Sequence, residues 1–518
     1  MSAGTITPYR SDLLAGPDGF AQLLRAEWTK FRTVRGWVIG VIIAALLIVG
    51  IALLDHSSCG DAVTPGGGSS PGCPAPPVGP GGEAVTDSFY FVHQPLAGNG
   101  SIAVRVTSLT GQPSGLQPWS KAGIIIKAGT RPGSAYAAMM VTAGHGVRMQ
   151  YNYTGDIAGP DGAASAASPR WLRLTRSGDT LTGYESADGT HWKVVGTAHL
   201  TGLPATVQAG LFDASPSSTQ STSQSISGSS GNAATNLATA VFDHVSLSGQ
   251  QPAGAWTGDS IGAGAGHGAP PGTGFHQAGG TFTVAGSGDI APDVATAAGG
   301  GGFPIGHTLL GMFAALIAVI VVAAMFMTSE YRRGLIRVTF AAAPRRGRVL
   351  AAKAVVISSV TFIAGLAGAS AAVPLGERLL RSNGNYILPV STLTELRVVA
   401  GTAALLAVAA VLALALGALL RSSAAAVTAV ILLIVLPYFF AIALAVLPAG
   451  AADWLLRITP AAAFAIQQSI PRYPQVSASY TPANGYYPLP PWAGFAVLCG
   501  YAALALGLAA IQLQRRDA

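Results

Sequence analysis

The chain is predicted to be a polytopic α-helical membrane protein of six spans, both termini cytoplasmic, with an extracellular all-β sandwich inserted between the first two spans. Three observations predict this. Half of the residues are hydrophobic and only 10% are charged, a balance foreign to a soluble protein of 518 residues. The apolar residues gather in separate runs of about 20, the length that crosses a hydrocarbon core of roughly 30 Å as a helix. Between the first run and the second, long apolar blocks give way to alternation with period two, which marks half-buried strands.

Residues 1–17 carry turn formers without periodicity and are expected to be a disordered tail. Over 18–35, Phe20, Leu23, Leu24, Trp28 and Phe31 recur at helical spacing, with Arg25 and Arg32 off that face and Lys30 at its edge. This predicts an amphipathic helix lying in the membrane interface. Glu27 falls inside the apolar arc, where a lone carboxylate is costly. Its expected partner is Lys30 at i+3, or a basic group of another segment or protein. The first span covers 36–54, and Arg25, Lys30, Arg32 and Arg35 before it hold the N-terminus inside. The run starts late and no small-residue cleavage site follows it promptly, so the span is expected to remain in the mature protein. Residues 55–84 are a Gly/Pro/Ser linker in which Cys59 and Cys73 form a disulfide on an oxidising side or stay as two thiols; their spacing does not decide.

The sandwich is expected over 85–250. In SIAVRVT, Ile102, Val104 and Val106 alternate with polar or small residues, and in VRMQYNY so do Val147, Met149, Tyr151 and Tyr153. AGIIIKAG, YAAMMVT, WLRLTR, WKVVGT and TVQAGLF read as further strands, with turns at Ser177-Gly178-Asp179 and Asp188-Gly189. Residues 216–236 read as a polar loop and 251–303 as a Gly/Ala-rich linker, whose patch around Phe282 and Val284 can pair back onto the sheet. The run from Trp171 to Gly196 resembles the strand-turn-strand signature of concanavalin A-like lectin/glucanase jelly rolls. Some members of that fold hydrolyse glycans with carboxylates spaced E-x-D-x-x-E on one strand. That pattern is missing here: Glu83 and Glu185 are the glutamates of the region, and Glu185 and Asp188 flank a turn. Binding or gating is therefore expected rather than hydrolysis. Trp119, Tyr136, Tyr153, Trp171, Tyr184 and Trp192 either pack the core or stack sugars.

Five more spans are expected over 304–513, at roughly 304–327, 354–375, 398–420, 424–447 and 492–512. The loop 328–353 sets Arg332, Arg333, Arg337, Arg345, Arg346, Arg348 and Lys353 against Glu330, and so faces the cytoplasm. Thr328 or Ser329 is expected to cap a short helix there, with Glu330 in its first turn and Pro344 at its end. The loop is either a topology anchor or a docking element. Residues 453–470 are too short to span and are broken by Pro460, which suits a re-entrant or interfacial pair of helices. No span carries a charge in its middle, where insertion costs about 2.5–3.5 kcal/mol, and this disfavours an ion-coupled transporter. Gly365 and Ala369 allow close helix approach. The net charge of +7 reads as topology and attraction to anionic lipid, not as nucleic-acid binding.

Together, LLRAEWTKFRTVRGW before the first span, S-E-Y-R-x-G-x-I-R after the second and the re-entrant segment before the sixth resemble permease subunits of the type-2 ABC exporter class. The resemblance implies an elbow helix holding Glu27, Trp28 and Lys30. It also implies a coupling helix of Glu330, Tyr331, Arg332, Arg333, Gly334 and Arg337 docked on a separate ABC ATPase subunit. A second permease copy or a relative would complete the pathway. ATP and Mg would sit on the partner and no cofactor on this chain, which lacks G-x-x-x-x-G-K-[ST]. H-E-x-x-H and G-x-S-x-G are also missing, so no catalytic or metal constellation is expected. The chain departs from the family in its sandwich, where many relatives have a short turn. The expected function is export of an amphipathic or lipid-like substrate across the plasma membrane, with the outer domain binding cell-surface glycan or gating. The alternative is a membrane-anchored carbohydrate-binding or sensing surface protein, which accounts for the insertion alone.

Overall fold

The computed structural model describes residues 19–55, 75–112, 115–161, 168–225, 228–250, 255–262, 271–294, 302–332, 345–443, 449–476 and 480–515. Among them, six helices are long and apolar enough to cross a membrane: Arg35–Leu53, Ile305–Tyr331, Arg346–Ser382, Thr392–Leu420, Ser423–Ile442 and Pro491–Arg515. The elbow helix, Phe20–Thr33, precedes the first and is separated from it by the extended residue Val34.

The fourth span is the hub of the bundle. Its apolar window is 67% buried, against 22% and 28% for the first and sixth spans, and it packs on the second, third and sixth. Missing side chains bring these helices close. A Cβ on Gly365 of the third span would lie 3.1 Å from Ala403 Cα of the fourth, and one on Gly368 3.1 Å from the Ala45 carbonyl of the first. The fifth span contains a π-helical stretch, Ile431–Val435, two residues before Pro437. Proline has no N–H to return to the turn before it, and the widened turn absorbs that defect. Before the sixth span, the helix Ala449–Ile458 breaks at Thr459-Pro460 into a 3-10 segment, Pro460–Gln467, buried from Pro460 to Ile466 against the sixth span.

The basic loop is shorter at both ends than its charge pattern predicts. The second-span helix continues through Thr328, Ser329, Glu330 and Tyr331 to Arg332. No helix breaker stands between Met327 and Arg332, and Thr328 Oγ1 donates back to the Ala324 carbonyl (2.8 Å) instead of capping a new helix. The third-span helix starts at Arg346, so Lys353 lies inside it, 1% exposed.

Among the described residues, seventeen strands follow the first span: β1 Val85–Asp87, β2 Phe89–Gln112, β3 Lys121–Lys127, β4 Tyr136–Thr142, β5 Val147–Tyr151, β6 Gly155–Ala158, β7 Arg170–Ser177, β8 Thr180–Ser186, β9 Lys193–His199, β10 Thr206–Ala214, β11 Ser218–Ser225, β12 Gly228–Ala234, β13 Leu237–Gln250, β14 Thr257–Ile261, β15 Gly274–Ala278, β16 Thr281–Gly286 and β17 Ile290–Pro292. The stretches read as a polar loop and a linker are thus corrected. Ser218–Ser225 and Gly228–Ala234 pair antiparallel as β11 and β12, and β14 to β17 lie after residue 250, so the domain runs beyond it. Composition hid them because Ser, Thr and Gly satisfy backbone ladders without leaving an apolar period.

The long strand β2 belongs to both layers of the sandwich. Its first part, Phe89–Ala97, lies between β14 and β10, continuing to β3, β4, β5 and β6; its second part, from Gly100, lies between β13 and β7. β16 and β15 extend the second sheet beyond β13, and β8 and β9 extend it beyond β7. The strand turns at Gly98, whose φ of 64° suits glycine. Val92, Ile124, Ile126 and Met139 of the first sheet meet Val104, Leu172, Leu174 and Leu181 of the second in one core. A second core covers the outer face of the first sheet, where Phe89, Phe91, Ile125, Tyr136 and Phe212 are sealed by Val85 and Ile290. Those two belong to the β1–β17 ribbon, in which the segments leading in from the first span and out to the second pair antiparallel, Val85 opposite Pro292. Burial on both faces explains why β3 and β4 read as unbroken apolar runs.

Candidate functional site

Three elements converge at the end of the bundle away from the sandwich. Glu27 comes from the elbow helix, Glu330 from the last turns of the second span and Lys353 from the first turns of the third. Lys353 Nζ donates to Glu27 Oε2 at 2.6 Å and to Glu330 Oε1 at 2.8 Å. Lys30 Nζ donates to Glu27 Oε1 at 2.8 Å and to Glu330 Oε1 at 3.0 Å. Two acids and two bases thus alternate in a closed, net-neutral ring. Its floor is aromatic: Lys353 Nζ sits 4.4 Å from the Phe326 ring centroid, and Phe326 meets Phe31 and Trp37 edge-on at 5.7 and 5.1 Å. Burial works to lower the Lys30 ammonium's pKa, but the Glu27 and Glu330 carboxylates outweigh it and hold that pKa above its ordinary value.

The next residue adds a fourth element. The Tyr331 hydroxyl reaches the Ala418 carbonyl at 3.5 Å, and the Arg421 guanidinium lies 5.4 Å from its ring centroid, at the end of the fourth span. Arg346 Nη1 donates to the Leu513 carbonyl at 2.9 Å, joining the start of the third span to the end of the sixth. The elbow helix and the ends of the second, third, fourth and sixth spans are therefore tied together.

Of the residues expected to matter, Glu27, Lys30, Glu330 and Tyr331 meet here. Both partners considered for Glu27 are present at once. Trp28 makes no contact with the four charges; 45% exposed, it stacks on Phe31 of the aromatic floor at 6.4 Å. Arg332 ends the second-span helix, and Arg333, Gly334 and Arg337 lie outside the described residues, as do Cys59 and Cys73. Lys353 was missed as a site residue because it was grouped with the loop arginines. Its place between Ala352 and Ala354, several residues into the apolar run, was the available signal.

In the sandwich, Trp119, Tyr136 and Tyr153 are buried, whereas Trp171, Tyr184 and Trp192 are half-buried on the outer face of the second sheet. Glu185 is buried 4.0 Å from Arg170. The Asp188 carboxylate accepts the His191 and Thr190 N–H groups of its own turn at 2.8 Å, and these hold it well below the usual carboxylate range. The two acids thus have separate structural partners. Among the described residues no group of three His, Cys, Asp or Glu could hold a metal ion.

At the other end of the bundle, Asp55 Oδ2 and His307 Nε2 stand 2.7 Å apart where the first span ends and the second begins. Gln475 Nε2, in the loop before the sixth span, donates to the Tyr153 carbonyl of the sandwich at 3.2 Å. Between ribbon and loops lies a cavity of about 170 Å³ bordered by Glu83, Asp293, Ser391, Ser469 and Tyr473. Burial pushes the Asp293 carboxyl up to about 6.

Comparison with solved structures finds a functionally unknown protein from Saccharomyces cerevisiae at 16% identity, covering 36% of this chain and 86% of that one, TM-score 0.22. The GH43 protein BlXynB from Bacillus licheniformis matches at 13% identity, covering 37% of this chain and 27% of that one, TM-score 0.18. Scytalido-glutamic peptidase with a transition state analog inhibitor matches at 7% identity, covering 40% and 100%, TM-score 0.24. Comparison with curated proteins finds no match. The family model described as ABC-2 family transporter protein matches residues 190–518, more than half of the chain and all five spans after the sandwich. The protein therefore belongs to the ABC-2 transporter family and is the membrane permease component of an ABC transporter, a subunit that works with an ABC ATPase.

Proposed function

We propose that the protein exports an amphipathic or lipid-like substrate, driven by ATP hydrolysis on a separate chain, and that the Glu27–Lys30–Glu330–Lys353 ring carries the drive into the spans. The ring is the observation behind this reading. An ionic cluster joining three elements is costly in an apolar setting unless all members stay together, so a push on any one element is shared by the others. Arg333, Gly334 and Arg337, which follow the ring in the chain, are assigned to the contact with the ATPase, and ATP with Mg to that partner. The ring end and both termini face the cytoplasm and the sandwich faces outward, as the basic flanks at Arg25–Arg35 and Arg332–Arg348 favour. Exposed apolar faces of the first and sixth spans, with Ile39, Ile43, Leu504 and Leu508, serve lipid or a second permease copy. The sandwich binds glycan at the cell surface or gates the exit. An anchored sensing protein would need a single span and no such ring.

The test is co-purification of an ATP-hydrolysing chain from native membranes, followed by Glu330→Gln with Lys353→Met in the reconstituted complex. The double variant removes one charge of each sign, so insertion and association should persist. Coupled ATP hydrolysis should fall at least about fivefold, roughly 1 kcal/mol of barrier. A wild-type hydrolysis rate in the variant, or no associated ATPase, overturns the proposal.

A further inference from the structure

We propose that the outer face of the second sheet is a binding site for an acidic polysaccharide, with Arg173 recognising its carboxylate groups. On this face Arg173 stands opposite Ala103 of β2 and Tyr184 of β8. Its guanidinium carbon lies 4.5 Å from the Tyr184 ring centroid and 4.3 Å from that of Trp192. The two rings fix the side chain, so little rotamer entropy remains to be lost on binding. What they do not supply is an anion. Arg105 of the same face is paired with Asp243, Arg148 with Asp156, and Arg170 stands 4.0 Å from Glu185. Arg173 has no ion-pair partner among the described residues, and its buried Nε has no hydrogen-bond partner there either.

The neighbouring row suits sugar hydroxyls. Thr175 stands opposite Thr182, whose Oγ1 lies 3.3 Å from Thr197 Oγ1, and all three side chains are partly or fully exposed. A hexose lying across the two rows would place its C–H face on an aromatic ring, its hydroxyls on the threonines and its carboxylate on the guanidinium edge, where two parallel N–H groups match two oxygens. A neutral sugar would leave the guanidinium edge without an anion, which sets the selectivity. The ribbon and the β5–β6 turn, which meet the membrane part, both lie on the first sheet. The inference deepens the proposed role of the sandwich and rests on its outward placement for access to glycan, but not for binding itself.

The experiment uses the full chain in phosphatidylcholine nanodiscs, titrated with hexamers of galacturonate, glucuronate and mannuronate and with their neutral counterparts. At least one oligouronate should bind, with the matching neutral hexamer at least about tenfold weaker and the affinity falling as salt rises. Arg173→Ala should lower that affinity at least about tenfold, and Arg173→Lys, which keeps charge but loses the fork, several-fold. Trp192→Phe guards against a folding artefact: it keeps the packing and should retain measurable binding. Absence of binding to all three uronates, equal binding of neutral hexamers, or full binding by Arg173→Ala overturns the proposal. Placement is read separately, by labelling Ser177→Cys in intact cells with an impermeant reagent, so failure of one reading does not pass for failure of the other.

Discussion

Two parts of this molecule bury lysines, and they do so differently. In the sandwich each ammonium has its own acid: Lys127 meets Asp87 at 2.7 Å and Lys121 meets Asp289 at 2.6 Å. Tyr153 Oη and the Gly133 N–H also donate to Asp87, at 2.7 and 2.8 Å. Both acids belong to or adjoin the β1–β17 ribbon, so these pairs fasten the ribbon to the sheet beneath. At the end of the spans, by contrast, two lysines share two acids across three helices. One-to-one pairing fixes a single geometry, whereas sharing keeps every charge matched while the helices shift by a fraction of an ångström. Statics and motion are thus both written in lysine–carboxylate pairing.

The sharpest way to break the comparison is Lys127→Met. Burial lowers the Lys127 pKa while Asp87 opposes it, and truncation would leave Asp87 buried with its charge unmatched. The sandwich should lose about 3–5 kcal/mol, read as faster hydrogen exchange in β1 and β17. Asp87→Asn in the same chain should restore part of it. Lys353→Met should cost less, about 2–3 kcal/mol, because Lys30 remains to bridge both acids, but it should depress ATP-coupled function more than Lys127→Met does. Equal functional loss in the two variants would erase the distinction.

A third variant separates ion pairing from bare burial. The Asp293 carboxyl, near 6 in the folded chain against roughly 3.9 unfolded, holds its proton better when folded. Its contribution to stability is therefore greatest below the unfolded value and is lost as pH rises from about 4 to about 6, by roughly 3 kcal/mol. Asp293→Asn should raise the thermal midpoint at pH 7 and flatten its decline over that window. The smallest effect is expected for Gly365→Ala, which sets a methyl 3.0 Å from Leu406 Cδ1 and 3.1 Å from Ala403 Cα. It should cost about 1–2 kcal/mol by prising the third and fourth spans apart, visible as a lower midpoint in detergent.

Much of this architecture is legible in the residues themselves. The spans follow from uninterrupted apolar runs, and the hairpin β7–β8 from Ser177-Gly178-Asp179, where Gly178 takes a φ of 60°. Glu27 announced the ring, since a carboxylate in an apolar arc demands a partner. What stayed hidden is non-local. Lys353 reads as one more basic flank until the third helix is seen to begin at Arg346. Glu330 reads as the start of a loop helix, but helicity carries on where nothing breaks it. The ribbon cannot be read locally at all, for β1 and β17 are three residues each and pair only because the whole domain lies folded between them.

That ribbon has a consequence for how a domain of this size can live inside a transporter. Val85 and Pro292 face each other across one ladder step, about 5 Å, and Asp55 and His307 stand 2.7 Å apart at the span ends. Seen from the bundle, the chain leaves and returns at nearly one point, so everything beyond is topologically a hairpin. Closing a loop costs only about 0.6 kcal/mol more for each doubling of its length, and a loop whose own folding brings its ends together spares the bundle even that. The two spans can therefore keep the spacing a short turn would impose, and the domain can be exchanged, enlarged or removed at this neck without asking the membrane helices to repack.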